Sequence, residues 1–367
     1  MKDLRYPRRT FIRGALRFIG RLALPLLTRM ELTGLERFPS KGPVIVVGNH
    51  TGTMEVALMT IYARRPIEYL GSVDIPHPPL VQFFNSLYGA IPIHRGRASR
   101  ASLEAGLSVL AQNGVLGLFP QGGIWEPTIQ RVQTGVAWLS YRGQAPVLPV
   151  GFNSTQGALD ETLRLRRPPL QMNVGAPLPP VTLNPNLPRK PQLEAAANRI
   201  MQAIWELVPE EDRPAQSLPL EENFEFELTL HGRSGERQDL PVELSIEHGG
   251  ALSKFIHRTI LFNNLLIKLD LPIAPLRRLH RDPNVGDLKR ATSAILGYLE
   301  QENPYYFTYR YGQSEGSAME AGLRELNDAL AWAQANGLSV RGRAVRRFRD
   351  PETDDLIVQD MPPEDET

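Results

Sequence analysis

The chain is 367 residues long, 42% apolar and free of cysteine, with 41 basic and 40 acidic side chains for a net charge of +1. This length and apolar content suit one large core or two smaller ones. The lack of cysteine excludes disulfides, thiolate catalysis and thiolate metal sites and fits a reducing, cytoplasmic setting, and the balanced charge gives no reason to expect a nucleic-acid partner.

That balance conceals segregation. Residues 1–30 carry Lys2, Arg5, Arg8, Arg9, Arg13, Arg17, Arg21 and Arg29 against Asp3 alone, a net +7. Residues 350–367 hold eight acidic and no basic side chains and read as a solvated tail. In "RTFIRGALRFIGRLALPLLTRM", Arg9, Arg13, Arg17 and Arg21 recur every four residues, while Phe11, Ile12, Ala15, Phe18, Ile19, Leu22 and Leu26 recur every three or four. The spacing predicts an amphipathic helix with a basic stripe. Arginines interrupt every apolar run well short of the ~20 residues a membrane span requires. The segment is therefore expected to lie in a membrane interface, its guanidinium groups meeting anionic lipid at about 1 kcal/mol per charge. That places the protein peripherally on the cytoplasmic face of a membrane. The alternative is a helix packed on the protein's own core with its arginines in water. "RRTFIR" imitates a twin-arginine export signal, but Arg17 and Arg21 break the apolar region such a signal needs, and no small-residue cleavage site follows by Met30.

Residues 31–210 alternate between strand and helix patterns. Strands are expected at 43–48, 67–73, 90–93, 115–119 and 146–152, and helices over 53–64, 79–89, 99–113, 134–143 and 192–208. Crossovers of this kind predict an α/β fold, a mainly parallel sheet flanked by helices. A linker is expected over 209–219. Residues 220–367 then read as an α+β accessory domain of unknown role. "FEFELTL" is expected to form a hairpin with "VELSI", helices to cover 251–268, 287–301 and 318–336, and "VRGRAVRRF" to pair with "LIVQ". His231, His248, His257 and His280 lack ligand spacing, and Arg341, Arg343, Arg346, Arg347 and Arg349 read as a solvated strand face partly neutralised by the acidic tail.

The chemistry concentrates in "VIVVGNHTGTME", Val44 to Glu55. Ligands in alternating α/β units gather at the carboxyl ends of strands, where His50 falls, with Thr51 or Thr53 available to cap the next helix and Glu55 in its first turns. A carboxylate accepting the Nδ1 hydrogen fixes the imidazole tautomer and leaves Nε2 free to take a proton from an alcohol. That is the base and orienter of a triad, with the nucleophile supplied by substrate. A metal hydrolase using His50, Glu55 and His77 or His94 lacks any ligand pair at helical spacing, so no metal is expected.

Three further stretches follow: "AIPIHRGR" (90–97), "GLFPQGGIW" (117–125) and "APVLPVGF" (145–152). In that order and spacing with "NHTGTME", they resemble the four sequence blocks of the glycerolipid acyltransferase family, typified by 1-acylglycerol-3-phosphate (lysophosphatidate) acyltransferases. The resemblance covers residues 30–210. It implies transfer of a fatty acyl group, at a membrane surface, from acyl-CoA or acyl-carrier protein as co-substrate to a lipid hydroxyl, with no cofactor. It carries the catalytic base to His50 and its orienting carboxylate to Glu55. Substrate contacts go to Asn49 in the first block, Arg95 and Gly96 in the second, and Pro120, Gln121, Gly122 and Gly123 in the third. Backbone N–H groups of a Gly-Gly turn suit a thioester oxyanion, and a guanidinium fork suits phosphate.

The chain departs from the family pattern at three places. Glu55 replaces the usual aspartate, one methylene longer. Gln121 and Ile124 replace a glutamate and an arginine, and Gln133 and Thr134 stand before Gly135 where basic residues are usual. Losing a guanidinium near the acceptor headgroup weakens phosphomonoester binding, since charge-assisted hydrogen bonds are about twice as strong as neutral ones. The leading expectation is an acyltransferase for 1-acylglycerol-3-phosphate or a related lysolipid. The alternatives are a neutral or glycolipid acceptor, or a non-catalytic lipid-binding protein that kept the fold.

Overall fold

The computed structural model describes residues 4–72, 79–93, 100–121, 132–213, 222–258, 260–272, 276, 279–281, 283–349 and 355–361. The chain divides into two compact units that meet in sequence between Ala215 and Gln216.

The strands of the first unit are β1 (Arg29–Thr33), β2 (Val44–Gly48), β3 (Ile67–Ser72), β4 (Ile91–Ile93), β5 (Val115–Leu118), β6 (Val147–Asn153) and β7 (Pro169–Val174). They form one sheet in the order β1-β7-β6-β2-β5-β3-β4. Neighbours run parallel except β6 and β7. The helices are α1 (Thr10–Leu27), α2 (Met54–Tyr62), α3 (Pro79–Tyr88), α4 (Arg100–Ala111), α5 (Gly135–Gly143), α6 (Ala158–Leu163) and α7 (Arg189–Trp205). This is the mixed, mainly parallel α/β architecture expected from the alternating pattern.

The centre of the sheet explains the run "VIVV". Successive side chains of a strand point to opposite faces. Val44 and Val46 accordingly join the apolar core on one face, with Leu58, Val150 and Phe152, while Ile45 and Val47 join the other, with Leu116, Val136 and Ile200. All four are buried. A strand covered on both faces needs branched apolar residues at every position, each contributing about 1.5 to 3 kcal/mol of burial.

Helix α1 forms where the spacing predicts, and its faces are the reverse of the core-packed alternative with its arginines in water. Arg13 is fully buried and makes a two-point ion pair with the buried Glu68 of β3, at 2.5 and 2.9 Å, while Arg8 Nη2 adds a third contact at 2.7 Å. Arg9 donates to the carbonyls of Ser86 and Leu87, Arg13 to that of Tyr88, Arg17 to that of Ala63, and Arg21 to that of Ile61. These carbonyls lie at the carboxyl ends of α2 and α3, where the last turn leaves acceptors without intrahelical donors and the helix dipole is negative. The basic stripe therefore turns toward the protein, with Arg13 buried and Arg17 half-buried, while Arg9 and Arg21 donate from exposed positions. The residues left outward are Phe11 (87% exposed), Phe18 (67%), Ile19 (60%), Leu22 (58%) and Leu26 (73%). The twin arginines Arg8 and Arg9 are likewise built into the fold.

The second unit carries an antiparallel sheet. Its strands are β8 (Asn223–His231), β9 (Arg237–Gln238), β10 (Ser339–Arg349) and β11 (Leu356–Met361), in the order β11-β10-β8-β9. The hairpin expected between "FEFELTL" and "VELSI" is corrected here. Val242–Leu244 is a short 3-10 turn entered from Pro241, and β8 pairs along its whole length with β10, from Ser339↔His231 to Arg347↔Asn223. Proline has no N–H to give a ladder, and the eleven-residue β10 satisfies β8 more completely than a five-residue segment could. The pairing of β10 with β11 matches the closing hairpin. Helices α8 (Gly249–Arg258), α9 (Ile260–Lys268), α10 (Val285–Gln301), α11 (Tyr306–Tyr311) and α12 (Gln313–Ala335) accompany this sheet. The β10 arginines meet carboxylates of the unit: Arg347 pairs with Glu225 at 2.8 Å, Arg343 with Asp360 at 3.0 Å, and Arg346 with Glu222.

Candidate active site

Strands β5, β2 and β6 are adjacent and parallel, so the segments leaving their carboxyl ends converge on one place. From β2 come Asn49, His50 and the start of α2. From β5 come Phe119, Pro120 and Gln121, and from β6 come Ser154 and Thr155.

Asn49 is buried, and its amide is used twice by one residue: Nδ2 donates to the Phe152 carbonyl at 2.8 Å and Oδ1 accepts from the Phe152 N–H at 2.7 Å. The β2–β6 ladder ends at Gly48↔Val150, and the Asn49 side chain extends it by one further pair. It thereby fixes the point at which the chain turns and His50 leaves the sheet. The His50 N–H donates to Gln121 Oε1 at 2.6 Å, and the imidazole stacks on the Phe119 ring at a centroid distance of 4.1 Å and an interplanar angle of 17°. The one segment that leaves β5 thus holds the histidine both by backbone and by ring face.

Glu55 sits in the first turn of α2, where a carboxylate opposes the positive end of the helix dipole. It is fully buried. Its two oxygens have separate surroundings. Oε1 accepts from the N–H groups of Thr51 (2.9 Å) and Gly52 (2.7 Å) and lies within hydrogen-bond distance of the hydroxyls of Thr51 (2.9 Å) and Thr155 (2.7 Å). Oε2 faces His50 Nδ1 at 3.6 Å, and neither atom has a closer partner. That separation suits an ion pair and exceeds a hydrogen bond. Burial by itself would push the Glu55 carboxyl up. The His50 imidazole, the Thr155 hydroxyl and the Thr51 amide outweigh it and hold the pKa below the ordinary carboxylate value. Glu55 is therefore an anion near neutral pH, facing one nitrogen of an imidazole that keeps 16% of its side-chain surface exposed.

Of the sequence-predicted site residues, Asn49, His50, Glu55, Pro120 and Gln121 are brought together. The Pro120 carbonyl accepts from the Gln133 N–H at 2.7 Å. Arg95, Gly96, Gly122 and Gly123 lie outside the described residues, as do His77, His94, Arg97, Ile124 and Arg131. Thr53 stands at the N-cap of α2 without a side-chain cap bond, and the hydroxyl of Thr51 turns to Glu55 instead. Thr155 and the stacking role of Phe119 escaped the sequence reading. A hydroxyl residue just past a buried strand at the carboxyl edge of the sheet was the available signal for Thr155, and an aromatic ending the neighbouring strand was the signal for Phe119.

Residues 29–153 match the family model described as Acyltransferase. A curated relative, the 1-acyl-sn-glycerol-3-phosphate acyltransferase of Bacillus subtilis (strain 168), is 21% identical over 188 residues, which are 51% of this chain and 92% of that protein. Among solved structures, the 1-acyl-sn-glycerophosphate acyltransferase PlsC of Thermotoga maritima is similar at 17% identity and a TM-score of 0.42, over 56% of this chain and 85% of that one. The likeness is thus to acyltransferases, and the family model covers residues 29–153 of the chain.

Proposed function

We propose that the acyltransferase domain acylates the free hydroxyl of 1-acylglycerol-3-phosphate or a related lysolipid, drawing the acyl group from the thioester of acyl-CoA or acyl-carrier protein. The observation that carries this reading is the buried, anionic Glu55 facing His50 Nδ1 at 3.6 Å at the carboxyl edge of the sheet. With Nδ1–H turned to the carboxylate, the lone pair lies on Nε2, which takes the proton of the acceptor hydroxyl. The acceptor oxygen bonds to the thioester carbonyl carbon, the resulting oxyanion collapses, and the C–S bond breaks. The thiolate leaves with the proton returned from the imidazolium. Catalytic contacts are often long before substrate binds and tighten in the complex, which suits the 3.6 Å separation. Asn49 and Gln121 hold the histidine's backbone. Arg95 and Gly96 for the headgroup, and Gly122 and Gly123 for the oxyanion, rest on the sequence resemblance.

The lipid acceptor calls for a lipid surface. Among the described residues no helix is long and apolar enough to cross a membrane, and the exposed apolar face of α1 is the surface we assign to an interface. Phe83 and Phe84 of α3 add to it, the two helices being joined where Arg9 caps the end of α3. A thiol-release assay with acyl-CoA and a panel of lysolipids in vesicles tests the reaction. Turnover with lysophosphatidate that is lost in His50→Ala supports it. Wild-type protein that releases no thiol with any acceptor, from either donor, points to the lipid-binding alternative, and preference for a neutral lysolipid points to a different headgroup.

A further inference from the structure

We infer that Thr155 is a positioning residue of the acyl-transfer site, acting through Glu55. The inference rests on the proposed role of the His50–Glu55 pair. Thr155 lies two residues beyond Asn153, where the match to the family model ends, so nothing in that match assigns it a part.

Four observations converge on it. First, the Thr155 hydroxyl is 2.7 Å from Glu55 Oε1, and both residues are buried. Second, Thr51 Oγ1 is 2.9 Å from both Glu55 Oε1 and Thr155 Oγ1. Only two hydroxyl hydrogens are available for these three contacts, so the two threonines and Oε1 form one closed cluster in which the hydrogens are shared. Third, Gly52 is pressed against the Thr155 turn: a Cβ there would meet the Thr155 carbonyl oxygen inside van der Waals contact. Fourth, Ser154 is held at φ 57°, a left-handed conformation uncommon outside glycine, which turns the chain just before Thr155.

The consequence concerns the free oxygen. With Oε1 fixed by two N–H groups and the threonine hydroxyls, rotation of the carboxylate would break that whole set, and Oε2 stays toward His50 Nδ1. One carboxylate thus serves the Gly52–Thr155 cluster with Oε1 and faces the imidazole with Oε2.

The test is a double-mutant cycle on the full chain, with kcat and KM read from thiol release. Thr155→Val keeps the shape and removes the donor. It is expected to lower kcat by about 10-fold or more with KM within about two-fold, and to do so by less than about two-fold in a Glu55→Gln background, since residues acting as a unit are non-additive. Thr155→Ser restores the hydroxyl and is expected to keep at least about half of wild-type kcat. Thr155→Ala serves the same cycle should the valine variant not fold. An equal fold-loss in both backgrounds, or wild-type kcat in Thr155→Val, would overturn the proposal. His50→Ala is measured alongside: loss of turnover there with an active Thr155→Val rejects the positioning role alone, whereas an active His50→Ala rejects the mechanism and this inference with it.

Discussion

A buried carboxylate normally costs several kcal/mol in desolvation, and a protein keeps it ionised only by giving it partners. Glu55 has four on one oxygen and an imidazole nitrogen opposite the other. A carboxylate serving only to cap α2 would be satisfied by the Thr51 and Gly52 N–H groups and could face water. The burial of Oε2 against Nδ1 is what a capping role leaves unexplained. His50→Ala is expected to lower turnover by at least ~100-fold, the lower range for loss of a general base. Glu55→Gln is expected to lower it less, because it mis-sets the tautomer without removing the imidazole. Activity near wild type in the alanine variant would remove the mechanism. Gly52→Ala is a second test at this scale. The added methyl has to displace the Thr155 backbone, an overpacking cost of about 1 to 3 kcal/mol, so a lowered melting temperature together with a lowered kcat is expected. The juxtaposition of His50 and Glu55 was legible from "NHTGTME" because a histidine at a strand end and a carboxylate in the next helix's first turn share one edge of the sheet. Thr155 was not, since a hydroxyl residue after a strand has many uses and only the adjacency of β6 to β2 gives it this one.

At the scale of the element, α1 shows how a correct periodicity leaves orientation open. A four-residue arginine spacing and an apolar spacing of three and four define two faces without saying which is inward. The α2 and α3 carbonyls and the carboxylate of Glu68 decide it, because they offer the arginines acceptors that anionic lipid would otherwise have to supply. Magnitudes then separate two modes of membrane binding. Each exposed large apolar side chain contributes about 1.5 to 3 kcal/mol on full burial, against about 1 kcal/mol for a cation near an anionic surface, and the stripe's arginines are already engaged. The protein is therefore expected to sediment with neutral phosphatidylcholine vesicles nearly as well as with anionic ones, with little loss as salt shortens the screening length to about 3 Å at 1 M. Phe18→Glu combined with Leu22→Glu is expected to leave it in the supernatant. Strict dependence on anionic lipid, reversed by salt, would return the role to the charges. Strand pairing of the second unit teaches the same lesson. Alternation identified β8, but its partner was set by Pro241 and by the length of β10, more than a hundred residues away in sequence.

At the scale of the molecule, the parallel sheet was legible because alternation of strand and helix leaves few topologies. The strands β1 and β7 were missed because neither is an unbroken apolar run: β1, at the edge, alternates only between exposed and half-buried positions, and β7 beside it alternates between buried and more open ones. Glu68 and Arg13 belong to this scale, since they fasten the chain's first helix to the sheet from the side chain of a strand otherwise read as apolar. Burial by itself would raise the Glu68 carboxyl, but Arg13 and Arg8 outweigh it and hold the pKa below its ordinary value of 4.5. A carboxyl depressed on folding contributes stability that is fully present above its unfolded pKa and is lost as pH falls through the lower, folded one. Glu68→Gln removes the charge and leaves Arg13 buried beside a neutral amide; breaking one side of a buried pair costs about 3 to 5 kcal/mol. The melting temperature of the first unit is thus expected to fall in Glu68→Gln at neutral pH. The gap to wild type should close as pH drops below 4.5, because the protonated wild-type side chain becomes the electrostatic equal of glutamine. Thermal unfolding followed from pH 7 to pH 3, with the transition of each unit fitted separately, checks this. A gap of constant size across that range would show that Glu68 holds α1 by shape and neutral hydrogen bonds, and that the ion pair adds nothing to the docking of the helix.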